Sequence, residues 1–262
     1  MRAQCNRLVV ASSLLAGLPV VVAAERLRPG SGRRVARAVV RTVSRWCGVR
    51  VSVLGWDRLD PEASYVLVPN HSSLLDVPAV LLADEHARFL AAAELFGIPL
   101  LSGAMRAIGT ERVDRRDPRA ASRQLARLAA AAPHGHLVIF AQGGIARPER
   151  PLSFRGGAFA LAIAAGRPVV PVAIHGTARA LPPGARLAVR PGDVTVELLT
   201  PVPTAGLGPR DRRDLRRRVE QSVSAALDAG SPRHGAAGAG GQGPPARLAT
   251  EADRSPEAPP GR

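Results

Sequence analysis

The sequence predicts an α/β fold: a mostly parallel central sheet flanked by helices, with an N-terminal membrane-associated helix and a disordered C-terminal tail. Three observations carry that prediction. Short apolar runs rich in Val alternate with helical segments from Val51 to Leu227, the pattern of a parallel sheet with helical crossovers. Two of those runs, ending at Val68 and Phe140, break into a polar and a Gly-rich loop, where folds of this class keep binding and reactive groups. The two ends of the chain have compositions that a packed core does not use.

The 262 residues fit one large domain or two small ones. An apolar fraction of 46% is ordinary, but aromatics are only 3%, so Ala, Val and Leu carry the core. All 36 basic side chains are Arg, with no Lys; a coding bias explains this more simply than selection for guanidinium chemistry. The net charge of +15 favours anionic partners such as lipid headgroups, phosphorylated substrates or nucleic acid. Nucleic acid is disfavoured, since the chain lacks a paired Cys/His module and has a single Tyr for stacking. Cys5 and Cys47 form neither a disulfide framework nor a metal motif.

Taken in order, Leu8 to Ala24 is a 17-residue apolar run broken only by small residues and Pro19. It stands at the short limit for a bilayer crossing. A membrane-spanning or membrane-embedded anchor, a cleaved signal peptide ending near Val22-Ala23-Ala24, and a buried core helix all fit; the anchor is favoured. Arg26, Arg28, Arg33, Arg34, Arg37 and Arg41 follow the run, against Arg2 and Arg7 before it. That asymmetry predicts a cell-membrane protein with its main domain on the cytoplasmic side. The expected divisions are residues 1–34 as anchor and basic flank, 35–229 as the main domain, and 230–262 as tail. Val35 to Val51 mixes Arg with Val, Trp46 and Cys47 at helical spacing. It fits a helix laid on anionic headgroups or an ordinary solvated face equally well.

Strands are then expected at Val51–Leu54, Tyr65–Val68, Leu137–Phe140, Pro168–Ile174 and Val194–Leu199. Helices are expected at Leu74–Ala83, Asp117–Ala131, Gly157–Ala165 and Arg210–Leu227, the first capped by Ser72 or Ser73. After Gly230 the chain turns to Gly, Ala, Pro, Ser and Arg, which cannot bury a core.

The most informative residues are His71 and Asp76, in the loop after the Tyr65–Val68 strand. A carboxylate accepting from one imidazole nitrogen fixes the tautomer and stabilises the imidazolium formed when the other nitrogen takes a proton. That pair can activate an alcohol. Neither Cys lies beside a candidate base, and there is no Gly-X-Ser-X-Gly elbow, so no covalent nucleophile is expected. Four further segments share this order and context. Gly109–Arg115 sets Arg112 and Arg115 near a strand end. Phe140-Ala141-Gln142-Gly143-Gly144-Ile145-Ala146-Arg147 is a turn whose N–H groups can approach a phosphate. Phe154-Arg155-Gly156-Gly157 opens a helix with a cation. Val170-Pro171-Val172 lies in a buried strand.

With these blocks in order, the chain resembles the glycerolipid acyltransferase family typified by 1-acyl-sn-glycerol-3-phosphate acyltransferases, over roughly Val51 to Thr204. Asn70, His71 and Asp76 match its Asn-His-X4-Asp block, Asp114-Arg115 its acidic-basic pair, and Val170-Pro171-Val172 its Val-Pro-Val strand. The resemblance implies acyl transfer from acyl-CoA or acyl carrier protein to a lysophospholipid hydroxyl, with no cofactor or metal. His71 would be the general base, Asp76 its orienting partner, and Asn70, Ser72, Arg115, Gln142, Gly143, Gly144 and Arg155 would bind substrate. The third block departs from the family's Phe-Pro-Glu-Gly-Thr-Arg at Ala141, Gln142, Gly144 and Ile145. Losing the Glu charge and the Arg fork weakens the case for a phosphate acceptor, so another lysolipid, such as a lyso-amino-acid lipid, or a weakly catalytic lipid-binding relative stays open. Among the remaining residues, Arg112 reads as a solvated cation, His175 as structural, and His134 and His136 as exposed loop residues.

Overall fold

The computed structural model describes residues 2–113, 135–146, 153–185 and 187–231, with side chains from Arg7 onward. The expected helix Asp117–Ala131 lies outside the described residues, as do Asp114, Arg115, His134 and the tail from 232.

Seven strands form one sheet in the order β1-β7-β6-β2-β5-β3-β4. They are β1 (Val49–Leu54), β2 (Val66–Pro69), β3 (Arg88–Ala92), β4 (Glu111–Val113), β5 (Leu137–Val138), β6 (Val169–His175) and β7 (Gly192–Leu198). Every pairing is parallel except β6 with β7. The α/β class expected from the alternation is therefore the observed one, with one antiparallel pair, β6 with β7. β4 falls at the strand end expected near Gly109–Arg115; β3 and the helix between β3 and β4 were not expected. Arg88–Ala92 is short and ends in two alanines, so it carries little strand signal.

β2 is central, and all four of its residues are buried. Leu67 faces a core shared with Val138, Val170, Val172 and the N-terminal helices. Val66 and Val68 face the opposite core, made with Phe159 and the C-terminal helix residues Leu215, Val219 and Val223. A strand covered on both faces reads as a continuous apolar run, which is why it was legible.

Helices α1 (Arg2–Leu27) and α2 (Ser31–Trp46) form an antiparallel hairpin. Gly17 lies against Val39 and Gly32 against Glu25. The Glu25 carboxylate accepts the N–H groups of Gly30 (3.0 Å) and Gly32 (2.9 Å), which satisfies the start of α2. The division expected at residue 34 thus falls inside α2. One face of α1, with Val10, Leu18, Val21 and Val22, packs on the core. Leu8, Leu15 and Val20 remain exposed.

Two α2 arginines turn inward instead of facing headgroups. Arg33 Nη1 donates to the carbonyls of Glu85 (2.9 Å) and Ala87 (2.6 Å), and Nη2 to Ile108 (2.6 Å). Arg37 donates to Leu81 (2.9 Å). Of the two readings left open for the helix from Val35 to Val51, Arg37 fits neither, and Arg33 likewise turns inward, because lone carbonyls near the ends of α3 (Asp76–Ala83) and α4 (Pro99–Ala107) need donors. Arg34, Arg41 and Arg45 stay exposed. His136, expected exposed, is buried; its Nδ1 accepts the Tyr65 N–H (3.3 Å) and its ring lies 5.7 Å from Trp56.

Asp84, at the end of α3, is 1% exposed, and one of its carboxylate oxygens has no partner among the described residues. Burial pushes its pKa up to about 6, against the opposing pull of the His86 N–H, His86, Arg33 and Arg37. The folded state therefore holds this proton more tightly than the unfolded chain. The resulting stability is complete below the unfolded carboxyl pKa and disappears as pH rises through about 6. We expect wild type to lose up to about 3 kcal/mol between pH 4 and pH 7.5 relative to Asp84→Asn. Urea unfolding of both proteins at the two pH values measures that difference; parallel pH profiles would show that Asp84 does not titrate in this range.

Candidate active site

The parallel strands bring their C-terminal ends to one edge of the sheet, and β2 delivers Asn70 and His71 there. Asn70 is buried. Its Oδ1 accepts the Ile174 N–H (2.7 Å) and its Nδ2 donates to the Ile174 carbonyl (3.1 Å). The carboxamide thus replaces the next ladder step between β2 and β6. Expected on substrate, Asn70 instead fixes where His71 leaves the sheet, because two buried backbone groups of Ile174 need it.

Asp76 opens α3 and is wholly buried. Its Oδ2 accepts three donors: His71 Nδ1 at 2.9 Å, Ser72 N–H at 2.7 Å and Ser73 N–H at 2.8 Å. The loop between the two residues is thereby wrapped around a single oxygen. The expected helix start at Leu74 moves to Asp76, and no serine side chain caps α3. The polarity of the cap is reversed: a carboxylate collects serine amides, and its charge suits a helix N-terminus. Ser73 Oγ instead donates to the Leu181 carbonyl (2.7 Å). Ser72 Oγ lies 3.4 Å from Thr177 Oγ1.

His71 is held from three other sides. Its backbone N–H donates to Gln142 Oε1, its carbonyl accepts the Ala146 N–H (2.7 Å), and its ring lies 4.3 Å from Phe140, tilted by 36°. With Nδ1 bound to Asp76, the network assigns that nitrogen the proton and leaves Nε2 its lone pair. Nε2 has no partner among the described residues. The ring is fixed in the tautomer of a base, with the side chain as a whole 15% exposed.

Gly143 and Gly144 form a turn, Gly143 at φ 75°. Arg155 covers it: a Cβ at Gly143 would stand 2.8 Å from Arg155 Nε. The Arg155 N–H donates to Ala141 (2.8 Å), and its guanidinium is exposed. The N–H groups of Gly144 and Ile145 make no hydrogen bond with described residues, so three kinds of donor converge beside His71. An apolar groove of about 530 Å³ adjoins them, lined by Leu74, Ile145 and the Leu181–Leu187 loop. Leu74, the 181–187 loop, Phe140 and Thr177 were missed as site residues; only chain folding brings them to His71. Ile145 was noticed only as a departure. Arg112 is exposed on β4, and His175 is buried at the end of β6 with Nε2 3.4 Å from Glu197 Oε2. Among the described residues, no three His, Cys, Asp or Glu side chains cluster as metal ligands.

Known proteins share sequence and fold with this chain. A family model described as Acyltransferase matches residues 50–175. The chain is 28% identical over 199 residues to the chloroplastic 1-acyl-sn-glycerol-3-phosphate acyltransferase BAT2 of Brassica napus, covering 75% of this chain and 58% of that protein. It is 29% identical over 212 residues to 1-acyl-sn-glycerol-3-phosphate acyltransferase alpha of Ovis aries, covering 80% and 74%. The chain thus spans little more than half the length of the Brassica relative. The crystal structure of the 1-acyl-sn-glycerophosphate acyltransferase PlsC from Thermotoga maritima has the same fold, with a TM-score of 0.71 at 23% identity over 88% of this chain and 98% of that one.

The Asn70 clamp yields a stability prediction. Asn70→Ala leaves the buried N–H and carbonyl of Ile174 unpaired and is expected to cost about 2–4 kcal/mol. His71→Ala removes a ring that is 15% exposed and one of three donors to Asp76 Oδ2 but leaves no backbone group unpaired, and is expected to cost less. Urea unfolding of both variants ranks them, and equal losses would count against the clamp.

Proposed function

We propose, on the likeness to the Acyltransferase family over residues 50–175, that the chain moves a fatty acyl group from acyl-CoA or acyl carrier protein to the hydroxyl of a lysophospholipid such as 1-acyl-sn-glycerol-3-phosphate. The observation that carries the reading is His71, its Nδ1 tied to buried Asp76 and its Nε2 unpartnered beside an apolar groove. Nε2 takes the proton of the acceptor hydroxyl as that oxygen attacks the thioester carbonyl carbon. The C–S bond breaks, and the thiolate takes the proton from the imidazolium. Asp76 stabilises the imidazolium in between without itself being protonated. The Gly144 and Ile145 N–H groups and the Arg155 guanidinium supply donors for the developing oxyanion and for an acceptor phosphate. Leu74, Ile145 and the 181–187 loop offer an apolar wall to an acyl chain.

Ile145 favours a second reading within the same chemistry. It lines the groove where the family carries an Arg, and Gln142 is neutral and already accepts the His71 N–H. An acceptor whose headgroup is not a bare phosphate fits those two residues better.

Membrane association is part of the proposal, with the domain on the cytoplasmic side. Residues Arg7–Leu27 are long and apolar enough to cross a bilayer. The hairpin argues for a one-sided mode. α2 runs antiparallel beside α1, so a crossing would draw Arg34, Arg41 and Arg45 to membrane depth, at about 2.5–3.5 kcal/mol for each charge near the centre. Immersing only the outer face of α1 leaves those arginines at the headgroups.

The test is acyl transfer from labelled acyl-CoA and acyl carrier protein to a panel of lysolipids, comparing wild type with His71→Ala. His71→Ala is expected to lower kcat/KM by about 10³-fold with the fold intact. Product with lysophosphatidic acid supports the first reading; product only with other headgroups supports the second. Product that does not depend on His71, or no product with any pair, overturns both.

A further inference from the structure

The exposed large hydrophobic side chains of the described residues are not scattered. Five lie on α1 (among them Leu8, Leu15 and Val20), and Trp46 ends α2. The other four are Leu74, Leu95, Ile98 and Leu100, exposed by 62%, 45%, 53% and 40%. All four lie at the sheet edge that carries His71. β2, β5 and β3 run parallel as neighbours, so their C-terminal ends share that edge. β2 leads into His71, β5 into the Gly-rich turn, and β3 into a 3₁₀ turn (Ala93–Gly97) followed by α4.

The segment Leu95-Phe96-Gly97-Ile98-Pro99-Leu100 contains no charged residue. It is ordered by its surroundings. The Arg106 guanidinium lies 5.7 Å from the Phe96 ring centre, and the Ser102 N–H donates to the Ile98 carbonyl (2.8 Å). α4 buries its other side through Ala104, Met105 and Ala107. Three aliphatic side chains held outward on a rigid turn are not the remainder of a core. A contiguous apolar patch at the rim of a site marks a surface that meets a partner or a membrane.

Continuity decides between those. α4 packs on α1, with Gly103 against Val22 and Ala107 beside Glu25 and Gly32. The first turn of α4, one turn before Gly103, therefore lies toward the middle of α1, at the level of its exposed Val20. The tip extends the apolar face of α1 toward the active-site edge, on a chain whose net charge of +15 suits anionic lipid.

We infer that the Leu95–Leu100 tip is a second lipid-contacting element, which enters the interfacial region of an anionic bilayer beside α1 and brings the mouth of the His71 site to the membrane surface. This rests on the membrane association proposed above. It implies that a lysolipid reaches His71 sideways from the bilayer without crossing water, and that α1 alone does not set the depth of the domain.

The test uses the full chain with Cys5→Ser, keeping Cys47, which is buried. A nitroxide is attached at Ile98→Cys, and in separate proteins at Leu15→Cys on α1 and at Glu62→Cys near the opposite sheet edge. Collision rates with oxygen and with a water-soluble nickel chelate are measured before and after adding phosphatidylcholine–phosphatidylglycerol vesicles. The label at 98 is expected to lose chelate collisions and gain oxygen collisions, as at 15, while the label at 62 stays in water. A label at 98 that stays in water while that at 15 enters lipid overturns the inference and leaves membrane association standing. Labels at both 15 and 98 in water overturn the two together. A label at 98 shielded from both reagents reports a protein contact and also overturns the inference.

Discussion

One carboxylate oxygen organises the site. Asp76 Oδ2 is buried and takes the His71 ring and two consecutive backbone N–H groups. A buried charge is tolerated only where donors surround it, so the loop from His71 to Ser73 has little freedom to adopt another path. The same three contacts that make the charge bearable also fix the imidazole. An imidazole held this way would be a preorganised base in the proposed reaction: taking a proton at Nε2 would require no rotation of the ring, only transfer of charge to a side chain already facing an anion.

That oxygen is effective because β2 is immobile. β2 lies fourth in a seven-strand sheet and is packed on both faces. Asn70 carries the immobility one residue past the last strand residue by holding Ile174. Gln142 and Ala146 then bind the His71 backbone from the loop after β5, the neighbouring strand. Replacement of the family's Glu by Gln keeps the acceptor that this backbone N–H needs, so position 142 can change charge without releasing the loop. Ile145 differs in kind. It removes a charge and adds apolar wall, and so bears on what is bound more than on how His71 is held.

The fold was legible where burial was two-sided. β2 and β6 are continuous apolar runs because both faces are covered, and the Gly-rich turn showed itself through composition. β3 escaped notice because a five-residue segment ending in two alanines carries little strand signal, and α4 because it is nine residues long and contains Pro99 and Gly103, both poor helix formers. At the site, the spacing of His71 and Asp76 was a weak signal by itself and became legible through the ordered blocks of the family resemblance around it. The clamp by Asn70 on Ile174, the Phe140 contact and the wall of Leu181–Ala185 and Leu187 join residues far apart in the chain, 104 positions for Asn70 with Ile174 and 108 for Ser73 with Leu181, and no local pattern encodes them. His136 was misread for a related reason: its flanking residues look like a loop, while Trp56 and Tyr65 bury it from elsewhere in the chain.

The absence of lysine acquires a structural consequence at Arg33. Its guanidinium donates to three carbonyls contributed by two separate segments, Glu85–Ala87 and Ile108. Burial lowers its pKa, an effect that Asp84 opposes. A planar fork can bridge acceptors in this way; a compact ammonium on a flexible stem matches that geometry less well. A coding bias toward Arg supplied the residue, but the fork is what binds α2 to the loops ahead of β3 and β4. The hairpin is therefore not a tether hung from the domain. Its orientation relative to the sheet is set by a half-buried cation.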